Sequence, residues 1–600
     1  MEKNTILAIV LSVVVVVGWT IVQGIFFTPE PLAPAPTSVT ANQPLIQESS
    51  PVLGAVSENA GSGIQAVAGT ITDAATDSEN IAEEHITIDT DLVTIVFSNK
   101  GGDIVSYKLK EHNDKDNLVE MVLPGTAEAH AFTVAFGDYN AQPIQNLFSV
   151  NRVSPTVIEF SRDFSIATAN GEAGQFRLIK RYELIPDEYL FQLSIAIDGG
   201  SMIPQLSNSN IAYTLGFGPQ IGPAFEKLDQ RYEYRHYLTY RDSKRREERV
   251  TGTKTIDYDT KWAAIAGKYF TVIALPDNVP VTYTFSTQAE PGLSDASRLF
   301  MTRPSLSGSK TIDTYRFYIG PKNQNDLAIY DNADNQLKLQ GTGINAVASS
   351  SGFWAPLETA LKWLLQLFYK VIPNWGVAII LLTLFVKLVF FPLTKKSSET
   401  TLRMQALAPK VKEIQEKYKE NPQKLNAEMA ALYKKEGANP VAGCLPMLLQ
   451  LPIFFAMYNL FNNHFDLRGA MFIPGWIPDL SLPESIWNFS PVTLPILGWS
   501  DIRLLPFIYV GSQLLYGKIT QTPDQKGNTQ MKMMLYVMPI MFFFILYNVP
   551  SGLLVYWIMS NVLTLFQQLI INKYIAKKKA AIATVEEKDN VIAPPRKKKK

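Results

Sequence analysis

The sequence predicts a multi-domain membrane protein. A β-sandwich domain precedes an α-helical transmembrane core of five helices, with an additional N-terminal anchor helix and a cytoplasmic helical hairpin. Three observations carry this reading. The hydrophobic fraction, 46%, is ordinary for a whole chain, yet most of the long apolar runs lie after residue 353. Residues 85–320 instead show short runs alternating with period two, separated by turn signals. Lysine and arginine crowd some segments between apolar runs and avoid others.

Ile6 to Phe27 is apolar and follows a start containing Lys3. A cleaved signal peptide is the alternative, but the run is long and no A-x-A site follows it before Pro29. Residues 1–27 are therefore read as a transmembrane anchor. Residues 28–80 are rich in Pro, Ala, Ser, Thr and Asn and poor in aromatics, the composition of a flexible periplasmic linker. Residues 81–340 form the expected β-sandwich domain. Tyr189, Phe191, Leu193, Ile195 and Ile197 mark one face of a strand, and Val105, Tyr107 and Leu109 mark another after the turn "NKGG". "NGEAG" at 170–174 separates two more strand-like runs, and a helix is expected around Asp326 to Leu337. "GTGINAVASSSG" at 341–352 is a small-residue linker.

Residues 353–372 read as an amphipathic interfacial helix. Trp354, Leu357, Leu361, Leu364, Leu365 and Phe368 follow helical spacing, while Glu358, Lys362, Gln366 and Lys370 lie elsewhere. Such a helix either lies flat in the bilayer interface or packs on the β-domain. The core, 374–577, holds five candidate spans at about 374–393, 444–461, 504–521, 531–547 and 553–572. Each is long enough to cross ~30 Å of hydrocarbon at ~1.5 Å per residue. Orientation follows from charge. The segment 395–440 carries Lys395, Lys396, Arg403, Lys410, Lys412, Lys417, Lys419, Lys424, Lys434 and Lys435, whereas 462–502 carries Arg468 alone. The tail, 578–600, ends in "RKKKK". Every basic segment faces the cytoplasm if both termini do, which places the β-domain in the periplasm of a cell with an inner membrane.

The chain has one cysteine, Cys444, so no intrachain disulfide can form, and its five histidines show no ligand spacing. "VAGC" at 441–444 mimics a lipoprotein box but lies mid-chain. Within 395–436, Leu407, Val411, Ile414 and Tyr418, then Leu425, Met429 and Leu432, are spaced three and four apart on either side of "ENP". That pattern reads as an antiparallel helical hairpin or, more blandly, as a solvated spacer. In the spans, Thr383 and Lys387 share one helix face. Tyr509, Gln513 and Tyr516 share another, Tyr556, Ser560, Thr564 and Gln567 form a stripe on the last span, and Gln450 is the polar residue of the second. These groups either face one another around a polar cavity or only hydrogen-bond between helices. The Lys387 charge either snorkels to the interface or sits in a hydrated cavity open to the cytoplasm. No Asp or Glu lies within the five spans, which argues against an ion-coupled proton relay. The methionines of "MKMMLYVMPIMFFF" offer either an adaptable binding surface or ordinary lipid-facing packing.

"NWGVAIILLTLFVKLVFFPLTKKS", "LAPKVKEIQEKY", "NPVAGCLPMLLQLPIFFAMY" and "PSGLLVYWIMSNVLTLFQQLIINK" together resemble the YidC membrane-protein insertases over roughly 353–577. The β-rich region is similar in size and place to the periplasmic β-supersandwich of the Gram-negative type. The resemblance implies a membrane protein insertase and folding chaperone, not an enzyme, with no cofactor or metal. It would work on nascent inner-membrane proteins, alone or with the Sec translocon, through a hydrophilic groove open to cytoplasm and lipid. The family's groove charge is usually arginine and aligns with Lys387, which keeps the charge and loses the planar fork. Thr383 matches the groove threonine. The aromatic pair aligns with Tyr556 and Trp557, the second being tyrosine in the family. Gln450, Gln513 and Ser560 complete the expected groove. The hairpin and basic tail suggest contact with the ribosome or signal-recognition components, or with membrane lipids. A secondary transporter and a membrane-anchored sugar-binding β-domain remain the other classes to weigh. Neither inverted symmetry nor a catalytic cluster is apparent in the sequence.

Overall fold

The structure is a computed structural model. It describes residues 66–591 except 69, 75–80, 115–116, 123–129, 168–172, 208, 219–220, 222–232, 288–295, 350–352, 438–444, 491, 493, 495–498 and 521–528. The expected anchor helix, most of the linker, "VAGC" and "RKKKK" therefore lie outside the described residues. The chain divides between Val347 and Ala348 into two compact units.

In the first unit a ten-stranded, largely antiparallel sheet forms the base. The strand Leu190–Asp198 lies between Ala173–Leu184 and Lys310–Pro321, and from Phe191 onward its burial alternates residue by residue as period-two spacing requires. Register puts Tyr182, Leu193 and Tyr315 opposite one another, hence on one face. A four-stranded sheet packs on that face through Phe97, whose ring centroid lies 5.0 Å from that of Tyr182. A five-stranded sheet packs beside it, where the Tyr213 hydroxyl donates to Asp313 at 2.7 Å and meets the Tyr315 hydroxyl at 2.8 Å. The result is an extended β-sandwich with two smaller sheets side by side on one large one.

The turn "NKGG" brings the four-stranded sheet onto the large one. Gly102 has φ +62°, and a Cβ there would come within 2.8 Å of Phe160 Cβ. Beside it, buried Lys180 donates to Asp103 at 2.5 Å and to the carbonyls of Gly101 and Phe132 at 2.9 and 2.8 Å. All three ammonium hydrogens thereby find acceptors, which burial of a lysine demands.

Two expectations for this unit are corrected. The linker does not run to residue 80: Thr70–Asp73 adds an edge strand to the large sheet with Ile71 opposite Ile166, and Ala66–Ala68 pairs in parallel with Ile203–Gln205. The Thr-Ile-Thr alternation suits a strand that finds its partner nearly a hundred residues away. The expected helix at Asp326–Leu337 is also shorter. Helix α1 spans Gln324–Ala328 and passes into a 3-10 turn, Ile329–Asp331. The Asn335 side chain then donates to the carbonyls of Ile329 and Leu339, and Ala333 takes φ +57°. Local side-chain bonds to the backbone replace the helical ladder.

The second unit is helical. Helix α2, Ala355–Val371, buries Leu361 and Leu365. Its apolar face packs on neighbouring helices: Trp354 stacks on Phe455 and Phe368 meets Phe385. Trp363 and Leu367 point outward. Helix α3, Trp375–Val389, starts on the Asn374 side chain, which accepts from Val377 N–H. Its Gly376 lies so close to Phe472 that a Cβ would overlap the ring.

The expected first core span, 374–393, is not one straight helix. The chain bends by 56° between α3 and α4, Phe391–Ala406, with Pro392 at the start of the second helix. The hairpin proper follows as α5, Ala408–Lys417, and α6, Pro422–Lys435. Val411, Ile414, Tyr418, Leu425, Met429 and Leu432 are its half-buried seam, and Lys410 pairs with Glu436 at 2.8 Å. Then come α7, Leu445–Asn463, α8, Leu505–Thr520, and α9, Thr529–Leu546.

Last is α10, Ser551–Val591, with 41 residues. Its first part, Ser551–Ile571, is long and apolar enough to cross a membrane. The helix continues well past that span, so residues 578–591 of the expected tail are helical.

Candidate functional site

The bundle has a packed end and a polar end. Apolar side chains fill the space where α3, α8 and α10 begin and α7 finishes: Ile379, Leu382, Phe461, Leu505, Leu553 and Leu554 are buried together. Tyr556 and Trp557 belong to this packing. The Tyr556 ring centroid lies 6.3 Å from that of Phe461. Trp557 stacks on Phe454 at 5.0 Å and 6° and lies 6.0 Å from Tyr509.

One turn further along α10 the chemistry changes. Ser560, Asn561, Thr564, Gln567 and Gln568 recur at helical spacing, so one face of α10 is polar. Lys387 of α3 donates to Thr564 Oγ1 at 2.8 Å. The Thr564 hydroxyl in turn donates to the Ser560 carbonyl at 2.6 Å, leaving its oxygen to accept from the ammonium. No carboxylate pairs with Lys387 among the described residues. Its two remaining N–H groups make no hydrogen bond among them either. A cation so placed keeps most of its capacity for hydrogen bonding and for attraction to negative charge.

Thr383, one turn before Lys387, is buried, and its hydroxyl donates to the Ile379 carbonyl of its own helix at 2.7 Å. Its oxygen is thus left as an acceptor rather than a donor. Gln513 donates to the Tyr509 hydroxyl at 3.3 Å. Gln450 is exposed near the start of α7, and no hydrogen bond among the described residues joins it to the Lys387–Thr564 pair.

Sequence reasoning did not single out several members of the polar end. Asn561 donates to the Ser512 hydroxyl at 2.9 Å, tying α10 to α8. Ser398, past the bend, donates to Gln568 at 3.4 Å, tying α10 to α4. Buried Ser397 sits beside it. Extending the α10 stripe from Ser560 by one and eight residues would have found Asn561 and Gln568. Nothing in the spacing marks Ser398, because the bend carries it there.

Two family descriptions match the chain. Residues 367–579 match the 60Kd inner membrane protein family, and residues 85–341 match the YidC periplasmic domain. The membrane protein insertase YidC of Treponema denticola is 46% identical over 597 residues, which cover 96% of this chain and 100% of the relative. That of Treponema pallidum is 37% identical over 625 residues, with the same coverage of both chains. A crystal structure of an active YidC insertase with its first transmembrane domain resolved is 16% identical. It covers 81% of this chain and 92% of its own, with a TM-score of 0.36.

Proposed function

Because the chain belongs to the YidC family of membrane protein insertases, we propose that it inserts client proteins through a hydrophilic groove formed by its polar end, with Lys387 as the groove charge. The observation that carries this is Lys387 bonded to Thr564, without a carboxylate partner among the described residues, in a bundle whose opposite end is packed apolar. A polar client segment enters the groove part of the way, which shortens the apolar path left to cross. The client's own apolar helix then partitions into lipid, and the hydrophobic effect supplies the free energy.

The helices α3 with α4, α7, α8, α9 and α10 serve as the five core spans. Both termini and the α5–α6 hairpin face the cytoplasm, as their Lys and Arg content requires, and the β-sandwich lies in the periplasm. The polar end of α10 leads toward this basic side, which supports a groove open to the cytoplasm. Thr383, Gln450, Gln513, Tyr556, Trp557 and Ser560 complete the proposed groove, the two aromatics as its floor. The Sec translocon, ribosome or signal-recognition components and anionic lipids are the proposed partners, the last two reached through the hairpin and tail.

Site-specific photo-crosslinking to a stalled nascent membrane protein tests the groove. A crosslinker at Thr564 or Gln568 is expected to capture the client's polar segment. One at Ile540, exposed on α9, is expected to capture lipid or the client's apolar helix. Equal capture of the polar segment from both positions would refute the groove.

A further inference from the structure

The segment between α7 and α8 forms a tongue that the proposed groove does not use. Trp487–Asn488 pairs with Asp501–Ile502. The ladder continues as Phe489 N–H donates to the Ser500 carbonyl and Leu494 N–H to the Trp499 carbonyl. The tongue therefore has a defined backbone over much of its length.

Its polarity is inverted relative to an aqueous loop. From Leu480 to Leu504 the sequence holds three charged residues, Glu484, Asp501 and Arg503. All three point to the base. Glu484 is buried and accepts from Leu505 N–H at 2.6 Å and from the Trp476 indole at 3.2 Å. Arg503 pairs with Asp501 at 2.9 Å and donates to the Tyr547 carbonyl at 2.7 Å. The tongue's exposed side chains instead include Leu482, Ile486, Trp487, Val492 and Leu494, with Trp487 64% and Val492 65% exposed. An exposed apolar patch of this kind needs an apolar neighbour.

The patch is continuous with the outward face of α9, one of the proposed spans. Trp499 stacks on Tyr547 at 3.6 Å and 6° and on Phe544 at 6.0 Å. Phe544 closes the stripe of exposed residues Tyr536, Val537, Ile540 and Phe544 along α9. The tongue thus extends the lipid-facing surface of α9 at the end where charge is scarce.

We propose that the tongue is an interfacial anchor whose apolar tip inserts into the outer leaflet of the bilayer, at the boundary of headgroups and acyl chains. Tryptophan with one apolar body and one polar edge suits that depth. The anchor fixes the height of the packed end while clients pass at the polar end. It also sets the depth of the floor formed by Tyr556 and Trp557.

The test uses the full chain in lipid nanodiscs, where both faces are open to solvent. Cys444→Ser removes the one native thiol, and Trp487→Cys, Val492→Cys or Leu494→Cys each take an environment-sensitive fluorophore. Three positions guard against one variant failing to fold. A label at Glu420→Cys, on the exposed turn of the α5–α6 hairpin, gives the aqueous baseline. The expected result is loss of most tip fluorescence to a lipid spin-labelled near the headgroup. Iodide should cause little loss at the tip and strong loss at the baseline. Iodide quenching of the tip without lipid quenching would overturn the proposal. Protection from both quenchers would also overturn it, because another protein surface would then cover the tip.

Discussion

Replacing Lys387 with arginine, alanine and glutamate separates a groove charge from a structural lysine. A client carboxylate brought to ~4 Å from the ammonium gains about 1 kcal/mol in a water-like medium and about 4 kcal/mol at an effective dielectric near 20. Since 1.4 kcal/mol is tenfold, Lys387→Ala should slow insertion of a client with one acidic residue in its tail by about fivefold to several hundredfold. A wet groove puts the effect near the lower limit. Matched clients with neutral tails should lose little. Lys387→Arg should retain function, because Thr564 Oγ1 can accept from a guanidinium as from an ammonium. Lys387→Glu should be worse than alanine for acidic clients, since attraction becomes repulsion. The assay is insertion of paired acidic and neutral clients into proteoliposomes at equal insertase content. Equal, near-normal insertion of both clients by the alanine variant would refute the reasoning. So would an equal fall for both that tracks a loss of folded protein, which marks a lysine that only holds α3 to α10.

Three further outcomes are expected. Deleting residues 66–347 should leave insertion largely intact with the helical unit still folded; the cut must include 66–73, because those strands pair within the β-unit. Loss of insertion by a folded, membrane-integrated deletion variant would count against this. Lys180→Met should lower the melting temperature of the β-unit, since removing one partner of a buried ion pair costs about 3–5 kcal/mol. Adding Asp103→Leu should recover only part, because the carbonyls of Gly101 and Phe132 still lose their donor. An unchanged melt of the single variant, read by circular dichroism of the full chain, would exclude a stabilising role for the pair. Removing Arg596 to Lys600 should weaken ribosome binding and flatten its salt dependence, because fewer counterions are released from ribosomal RNA. Unchanged ribosome affinity with weaker binding to anionic vesicles would assign the tail to the membrane instead.

The sequence showed those features that depend on near neighbours along the chain. Long apolar runs placed α7, α8, α9 and the first part of α10 to within a few residues, because each helix is specified by its own hydrophobicity. Period-two burial in Leu190–Asp198 was equally visible, because one face of the large sheet is covered. Lys387 stood out as a cation in an apolar helix, but its partner Thr564 is 177 residues away and only folding joins them. The strand at 70–73 escaped notice for the same reason: its four residues gain order from Ala167 to Phe164, not from their own composition. The bend at Phe390 had a local sign in Pro392, yet its consequence did not. Ser398 reaches Gln568 because the helix turns there.

The asymmetry of the bundle also bounds which clients need the groove. A transmembrane helix of ~20 residues gains about 0.3–0.6 kcal/mol per Leu, Ile, Phe or Val, so about 6–12 kcal/mol at most. Each charged residue drawn through the bilayer centre costs about 2.5–3.5 kcal/mol. A strongly apolar client can therefore carry roughly three to four charges across unaided, and a weakly apolar one about two. In the proposed groove a hydrated polar end lowers the cost of every charge that it holds, while the packed rings of Tyr556, Trp557, Phe454 and Phe461 form its floor. Dependence on Lys387 should accordingly rise with the number of acidic residues in the tail and fall with the hydrophobicity of the following helix. Both belong to the client, so in the proposed mechanism the client gives the reaction its direction. In the proposed mechanism the insertase contributes position: a cation on α3 and a polar stripe on α10, and a packed end that stops the tail midway until the client's helix has entered lipid.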